Sequence, residues 1–449
     1  MLDGKPIVAR ATPPGEGAIA IVRMSGSDLF SIADSCFKPA NGSLFSDSSE
    51  RTLIYGQFYD DNRLVDRCLA VRFIAPASFS GEDMVEFHVH GNPLIVDAVT
   101  RTCLRHGCRL AEPGEFSRRA FVNGKMDLAQ AEGLSEVIRA ESESMLDLAQ
   151  RQLGGELSRR FNNYRRQLVD VLALLELELD FVQEGYQLLD LDDLQVTLKQ
   201  LSDEADALLD TYRSADHLRR GPRILLLGKA NAGKSSLFNA FLGYSRALVS
   251  DTPGTTRDYL GERILFNGVI LHFLDSAGLR ETTDRLEAQG VGLAQRLVPL
   301  VDKVLYLIDS SLPSSHIESE LSSVQALSSE YPAVSFIPLF SKSDLSKGVG
   351  DRFSCSIHDR DSVIAVLDKL VQEYSVSLSS QLALLSERQL ALLRSMKESL
   401  NAITICSDLS TEFLSSDLRT LLQPLSELTG DLTNEDILDA LFSGFCIGK

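Results

Sequence analysis

Apolar and polar positions follow three different rhythms along the chain. From residue 1 to about 118, short apolar runs are cut by turn formers: Ala18-Ile19-Ala20-Ile21-Val22, Asp66 to Ala75, and Met84-Val85-Glu86-Phe87-His88-Val89. Their alternation and β-branched content predict strands, with turns at Gly15, Gly26, Gly81 and Gly91-Asn92-Pro93. Leu94 to Arg105 then has helical spacing, so a mixed α+β domain is expected. From about Lys125 the texture changes. Asp127 to Ser158 and Tyr164 to Phe181 are rich in Leu, Ala, Glu and Gln, with few Gly and no Pro, and are predicted as long helices. Leu168, Val171, Leu172, Leu175 and Leu179 form a stripe that needs partner helices to cover it. The same texture returns in Gln381 to Ile405 and Thr411 to Leu428.

Between the helical blocks, about Arg220 to Tyr374, apolar runs alternate with helical ones: Arg223 to Leu227, Glu262 to Leu274, Lys303 to Ile308 and Val334 to Phe340. Strands separated by helices predict a largely parallel sheet covered on both faces. Asn267-Gly268, flanked by apolar triplets, is a two-residue hairpin signal, so one antiparallel edge is expected. The chain therefore reads as multidomain: an α+β N-terminal domain (1–118), a helical domain in two segments (119–219 and 378–449), and an inserted α/β P-loop domain (220–377). Whether the two helical segments pack together is not legible in the sequence.

Charge narrows the function. With 44 Lys plus Arg against 63 Asp plus Glu, the formal charge of −19 disfavours a wholly basic nucleic-acid-binding protein. Cysteines 36, 68, 103, 108, 355, 406 and 446 are scattered and show no CxxC pair, which points to a reduced, cytoplasmic setting. Met1 to Pro14 lacks a signal-peptide pattern, and no apolar run nears the roughly 20 residues that span a bilayer, so neither export nor membrane insertion is expected. The final Cys446-Ile447-Gly448-Lys449 does not fit a prenylation box.

The middle domain carries the legible chemistry. Gly228-Lys229-Ala230-Asn231-Ala232-Gly233-Lys234-Ser235 matches GxxxxGK[ST] between a strand-like Ile224 to Leu227 and a helix-like Ser236 to Leu242. That setting separates a phosphate loop from a chance Gly-rich turn. Its N–H groups would cradle phosphates, Lys234 would bridge the β and γ oxygens, and Ser235 would offer a hydroxyl to Mg²⁺. Asn231, Ala232, Gly233 and Ser236 complete the expected contacts of this loop. Asp275-Ser276-Ala277-Gly278 follows the second hairpin strand, supplying a carboxylate near the metal and an N–H that senses a γ-phosphate. In Ser250-Asp251-Thr252-Pro253-Gly254-Thr255-Thr256 a Thr hydroxyl, by choice that of Thr256, reaches Mg²⁺ once a γ-phosphate is bound, although a pure turn role for Asp251 to Asp258 also fits the residues. Ser341-Lys342-Ser343-Asp344 stands where Asn-Lys-x-Asp is usual. Asp344 can accept two hydrogens from guanine, whereas adenine would leave a buried charge unpaired, so guanine is the expected base. Ser341 is shorter than Asn, which predicts weaker contact to the base and to the phosphate loop. Ser354-Cys355-Ser356 is a candidate for the last base-contacting loop.

In order, GKANAGKSS, DTPGTTRD, DSAGLRE and SKSD resemble the translation-factor-related GTPases. With TPPGEGAIAIVRMSG, GEDMVEFHVHG, AEPGEFSRRAFVNGKMDLAQAE and the terminal CIGK, the chain resembles the MnmE (TrmE) family of tRNA modification GTPases essentially end to end. The resemblance implies an N-terminal domain for tetrahydrofolate binding and dimerisation, a two-part helical domain and an inserted GTPase. It implies a homodimer that works with an FAD-dependent partner, MnmG (GidA), to place a carboxymethylaminomethyl or aminomethyl group on C5 of wobble uridine in certain tRNAs. A 5-formyl- or methylene-tetrahydrofolate would carry the one-carbon unit.

Residue by residue, the resemblance assigns folate contacts to Arg23, Glu86, Lys125 and Lys449, each of which alone reads as a solvated charge. Cys446 becomes a candidate for a chemical role, with no base partner legible beside it, and an inert or packing thiol fits the residues equally well. Leu279 stands where a small Ras-like GTPase has Gln, and the resemblance puts K⁺ near the phosphates instead, held by the Asn231 side chain, backbone oxygens of Ser250 and Thr252, and Thr255. Water positioning falls on Glu287, although the residues alone do not separate it from Glu281. Glu287, Lys234 and Thr256 are the expected catalytic residues. His88 and His90 share one strand face and could pair on a metal, but no third ligand is visible and a structural role is the preferred reading. Arg159-Arg160, Arg165-Arg166, Arg219, Arg220 and Arg223 could meet tRNA phosphates or form solvated helix faces. The competing function is a ribosome-assembly GTPase acting as an RNA-binding switch. The acidic, Leu-rich C-terminal block, with no GXXG loop in a basic domain, weighs against it.

Overall fold

The computed structural model describes residues 4–180, 191–244, 246–247, 261–274, 297–345, 352–375, 383–405, 411–432 and 435–448. Contacts divide the chain into two compact units, one of residues 1–135, 152–195 and 398–449 and the other of residues 136–151 and 196–397.

In the first unit, alternating sequence makes a seven-stranded sheet of β1 (Ile7–Arg10), β2 (Gly17–Ser25), β3 (Phe37–Pro39), β4 (Ile54–Asp60), β5 (Arg63–Phe73), β6 (Met84–Gly91) and β7 (Arg109–Leu110). Their order is β3-β4-β5-β6-β2-β1-β7. Ala20, Val22 and Met24 of β2 and Val85, Phe87 and Val89 of β6 point to one face, where α1 (Leu29–Cys36) and α2 (Pro93–Arg105) cover them. The predicted strands and the Leu94 to Arg105 helix are thus present. On the other face, Ile7 and Ala9 pack against Phe116 of α3 (Glu115–Val122).

Helical sequence follows, in α4 (Leu128–Arg139), α5 (Glu143–Leu153) and α6 (Glu156–Asp180). The continuous helix expected from Asp127 to Ser158 is broken twice. Ser142 accepts a hydrogen bond from the Met145 N–H through its hydroxyl, starting a new helix. Gly155, at φ +75°, ends α5 in a left-handed turn that a side chain would strain. The stripe on α6 is covered in part: Leu168 and Leu175 are buried, Val171 and Leu172 are half-buried, the Leu179 side chain lies outside the described ones, and α12 (Thr411–Thr429), from the far end of the chain, packs along the helix. Arg165 Nε donates to Ser426 Oγ at 3.0 Å, and Arg419 pairs with Glu176 at 2.6 Å. The two helical blocks therefore do pack together. Phe442 and Leu438 of α13 (Glu435–Ser443) join Leu128 and Ala131 in a further cluster.

In the second unit, β8 (Arg223–Leu227), β9 (Arg246–Ala247), β10 (Gly261–Phe266), β11 (Val269–Leu274), β12 (Lys303–Asp309), β13 (Ser335–Ser341) and β14 (Ser354–Cys355) form a sheet ordered β14-β13-β12-β8-β11-β10-β9. The first five of that order run parallel, and β10 pairs antiparallel with β9 and with β11, the latter as the Asn267-Gly268 signal predicts. Both turn residues have positive φ, +47° and +76°. α8 (Lys234–Tyr244) and α10 (Arg360–Ser375) bury Leu237, Phe241, Val363 and Leu367 on one face, while α9 (Ser314–Glu330) packs Val324 on the other. Two further helices, α7 (Leu191–Arg220) and α11 (Glu387–Ile405), complete the described fold. α7 lies in the stretch expected to be helical, 119–219, and Leu194, Leu198, Leu201, Ala205 and Leu208 are buried along it. No described helix is long and apolar enough to cross a membrane.

The first unit is tied by a buried ion network. Arg119, 1% exposed, donates to Glu82 Oε2 at 2.9 Å, to Glu115 Oε1 at 3.1 Å and to the Lys5 carbonyl at 2.8 Å. Arg109 grips both Glu115 oxygens at 2.6 and 2.7 Å. Burial alone would raise the Glu115 carboxyl, but hydrogen bonds from Arg109, the Glu112 N–H and Arg119 outweigh it and hold the group below its ordinary value. Replacing Arg119 by Met removes one of the two arginines that hold the buried Glu115, which keeps Arg109, and is expected to cost about 1.5 to 3 kcal/mol in thermal unfolding at neutral pH. Because the folded-state value of Glu115 is depressed, its contribution is present above the ordinary value of 4.5 and is lost as pH falls through the lower folded value, so the gap between wild type and Arg119→Met should narrow in acid.

Candidate functional site

The phosphate loop leaves β8 at a point where only Gly fits. Gly228 has φ +139°, and a Cβ there would meet the Leu307 carbonyl oxygen of β12 at 2.4 Å. Asn231 and Gly233 are also left-handed, at φ +62° and +91°, so the loop turns on itself before α8 begins. Ser235 and Ser236 are exposed at the start of that helix, where unpaired N–H groups favour an anion. Lys234 folds back: its ammonium donates to the Gly228 carbonyl at 2.7 Å and to the Lys229 carbonyl at 2.8 Å. Burial lowers the Lys234 ammonium below its ordinary value, and the Glu320 carboxylate partly offsets this.

Parallel pairing brings the base-reading loop to the same end of the sheet. Ser341, at the end of β13 and buried, donates its hydroxyl proton to the Ala232 carbonyl at 2.7 Å. Ser in place of Asn still reaches the phosphate loop through this one hydrogen bond. A short hydroxyl suffices because Ser341 lies within one hydrogen bond of the loop backbone. That bond uses its one proton, so toward a base the Ser341 hydroxyl could only accept. Lys342, left-handed at φ +56°, pairs with Asp309 at 2.6 Å. Ser310 Oγ donates to the Ser341 carbonyl at 2.6 Å, tying the end of β12 to this loop.

Ser343 and Asp344 lie in a short helical turn. A hydrogen bond from Ser356 is the main cause that lowers the exposed Asp344 carboxyl below its ordinary value. β14 sets Ser354 beside Phe340 and Cys355 beside Ser341, so SKSD and SCS converge. The Cys355 thiol is buried and pushed up by that burial, which makes it packing rather than a nucleophile.

In the first unit, Arg23 Nε donates to Glu86 Oε1 at 2.7 Å, and Arg23 Nη1 donates to the Gly448 carbonyl at 3.3 Å. The guanidinium lies over the rings of Phe79 and Phe116, 5.6 and 5.8 Å from their centroids. Burial would raise Glu86, but bonds from His88 and Arg23 hold it below its ordinary value. The structure thus brings together Arg23, Glu86 and the C-terminal tail. Lys125 is engaged differently, donating to the Pro76 carbonyl at 3.1 Å. Cys446 is exposed, and its carbonyl accepts from the Gly114 N–H at 3.4 Å. His88 turns to Glu86, and His90 Nδ1 sits 2.8 Å from Asp66 Oδ1, so each histidine has its own carboxylate. Among the arginine clusters, Arg159 donates to the Gly154 carbonyl, Arg160 pairs with Glu156 and Arg165 with Asp431.

Ser250, Asp251, Thr252, Pro253, Gly254, Thr255, Thr256, Asp275, Ser276, Ala277, Gly278, Glu287 and Lys449 lie outside the described residues. One buried group beside the phosphate loop escaped the sequence reading. Glu320 of α9 sits in the helical register of Ile317, Leu321, Val324 and Leu327, and a carboxylate on that apolar stripe was the available signal.

Two family patterns match the chain: one described as the GTP-binding protein TrmE N-terminus over residues 6–125, and one as the MnmE helical domain over residues 128–446. Among curated proteins, the tRNA modification GTPase MnmE of Chlorobaculum tepidum is 37% identical, covering 100% of this chain and 98% of the relative. Those of Neisseria meningitidis serogroup B, at 37% and 100% of both chains, and Clostridioides difficile, at 33% and 99% of both, are similar over the same extent. With two family patterns spanning both helical blocks and full-length likeness at these identities, the chain belongs to the MnmE family of tRNA modification GTPases.

Proposed function

We propose that this GTPase hydrolyses GTP to drive modification of C5 of wobble uridine in certain tRNAs, adding a carboxymethylaminomethyl or aminomethyl group together with an FAD-dependent partner of the MnmG (GidA) type. The observation that carries the reading is the Ser341–Ala232 hydrogen bond, which locks a guanine-reading loop to a phosphate loop in a chain related end to end to tRNA modification GTPases. The proposed division is a folate-binding and dimerisation domain (1–118), helical segments (119–219 and 378–449) and the GTPase (220–377), working as a cytoplasmic homodimer.

In the GTPase, Ser235 and Thr256 would hold Mg²⁺, which neutralises charge on the phosphates. Asn231, Ser250, Thr252 and Thr255 would hold K⁺, which supplies positive charge where Leu279 leaves no Gln. The left-handed Asn231 stands exposed on the loop, which suits a side-chain oxygen offered to a cation. Glu287 holds the attacking water, and Lys234 bears on the β and γ oxygens. In the first unit, Arg23, Glu86, Lys125 and Lys449 would hold a tetrahydrofolate derivative, which supplies the one-carbon unit. Phe79 and Phe116 beside Arg23 and the carboxylate of Glu86 suit the flat, donor-bearing pterin of a 5-formyl- or methylene-tetrahydrofolate. Cys446, which is exposed, is the candidate for a chemical role.

Three measurements check this. Nucleoside mass spectrometry of bulk tRNA from cells lacking the gene should show loss of a 5-substituted wobble uridine, restored by wild type and not by Lys234→Ala; unchanged nucleosides would favour the ribosome-assembly reading. GTP turnover should be several-fold faster in KCl than in NaCl at matched ionic strength, and equal rates would remove the K⁺ role. Glu287→Ala should bind GTP nearly as wild type while turnover falls by roughly two to four orders of magnitude.

A further inference from the structure

Glu320 is a buried charge beside the phosphate loop that the hydrolytic reading does not use. Its side chain is 1% exposed, and neither carboxylate oxygen accepts a hydrogen bond among the described residues. Its countercharge is Lys229 of the phosphate loop, whose ammonium is 3.2 Å from Oε1 in an ion pair without hydrogen-bond alignment. Lys229 is 61% exposed, so the anion is inside the protein and its cation is largely in water. A carboxylate so placed keeps much of its field inside the protein.

Its field reaches the loop. Glu320 acts on the Lys234 ammonium, opposing the effect of burial, and, after burial, it also raises Tyr306 of β12. A polyphosphate bound by the N–H groups of Gly228 to Ser235 would bring further negative charge to the same place. Such a carboxylate repels phosphates through a low-dielectric path that salt screens poorly.

We propose that Glu320 is a positioning residue that weakens phosphate binding by charge, tethering Lys229 and opposing the phosphates of GTP and GDP so that nucleotide stays exchangeable. This rests only on the phosphate loop taking a nucleotide, not on the potassium or folate assignments. The test measures equilibrium affinities of the full-length protein for GTP, GDP and guanosine, in wild type, Glu320→Gln and Glu320→Asp. Glu320→Gln should bind GDP and GTP about tenfold tighter with guanosine unchanged. Glu320→Asp, which keeps the charge, should retain the wild-type ratio of GDP to guanosine affinity. An unchanged ratio in Glu320→Gln overturns the proposal, and so does parallel loosening of all three ligands, which marks a packing role. If Glu320→Gln does not fold, Lys229→Gln serves instead, leaving the carboxylate without its cation. It should lower GDP affinity about tenfold relative to guanosine, and an unchanged ratio overturns the proposal. A wild type that binds none of the three removes the nucleotide reading on which the proposal stands.

Discussion

The parallel register of β8, β12 and β13 is the constraint on which the nucleotide site depends. Leu227 pairs with Tyr306, and Asp309 pairs with Ser341, so the three strands deliver their C-terminal ends to one edge of the sheet. Loops leaving that edge converge because ligand sites in such sheets lie at the carboxyl ends of the strands. The close passage of Gly228 beneath Leu307 and the hydrogen bond from Ser341 to Ala232 then fix the phosphate loop against its neighbours. Neither contact would exist if β12 slipped by a residue against β8, since a slip turns every side chain to the other face.

Buried charge is handled in two ways in this chain. The two Nη atoms of Arg119 donate to Glu82, Glu115 and the Lys5 carbonyl within 3.1 Å, while its buried Nε has no partner among the described residues, so charge-assisted bonds offset most of its desolvation. That network joins β2, α3 and the turn before β6 through Ser25, which donates to Glu82 at 2.8 Å. Among the described residues Glu320 is ion-paired with Lys229 alone, off line, and neither of its oxygens accepts a hydrogen bond. An arrangement that lowers stability without adding an aligned bond fits a functional role better than a structural one.

The first unit gathers distant parts of the chain around Arg23. Its guanidinium touches the β6 carboxylate of Glu86, the rings of Phe79 and Phe116, and the Gly448 carbonyl, which lies 425 residues away in sequence. A Cβ on Gly448 would meet the Arg10 carbonyl oxygen at 2.1 Å, so the tail lies close against the end of β1. The C-terminal residues and the first sheet thus meet at Arg23, and α12 pairs with α6 within the same unit.

Local chemistry carried much of this in the sequence. The phosphate loop was legible because Gly, Lys and Ser at fixed spacing meet a local geometric need, and the hairpin because Asn-Gly favours left-handed backbone. The apolar stripe on α6 announced a partner without naming it. What the sequence left open were contacts between residues far apart: that α12 covers α6, that Ser341 reaches Ala232, and that Glu320 faces Lys229 rather than solvent. It also misjudged the long helix after Asp127, because a Ser hydroxyl capping Met145 and a left-handed Gly155 outweigh the propensity of the Leu, Ala and Glu around them. Periodicity and motif spacing are set by each residue and its neighbours, so the sequence alone determined the elements and the phosphate chemistry. Which polar groups meet, and which stay unpaired, depends on strand register and helix packing, and those only the tertiary structure decided.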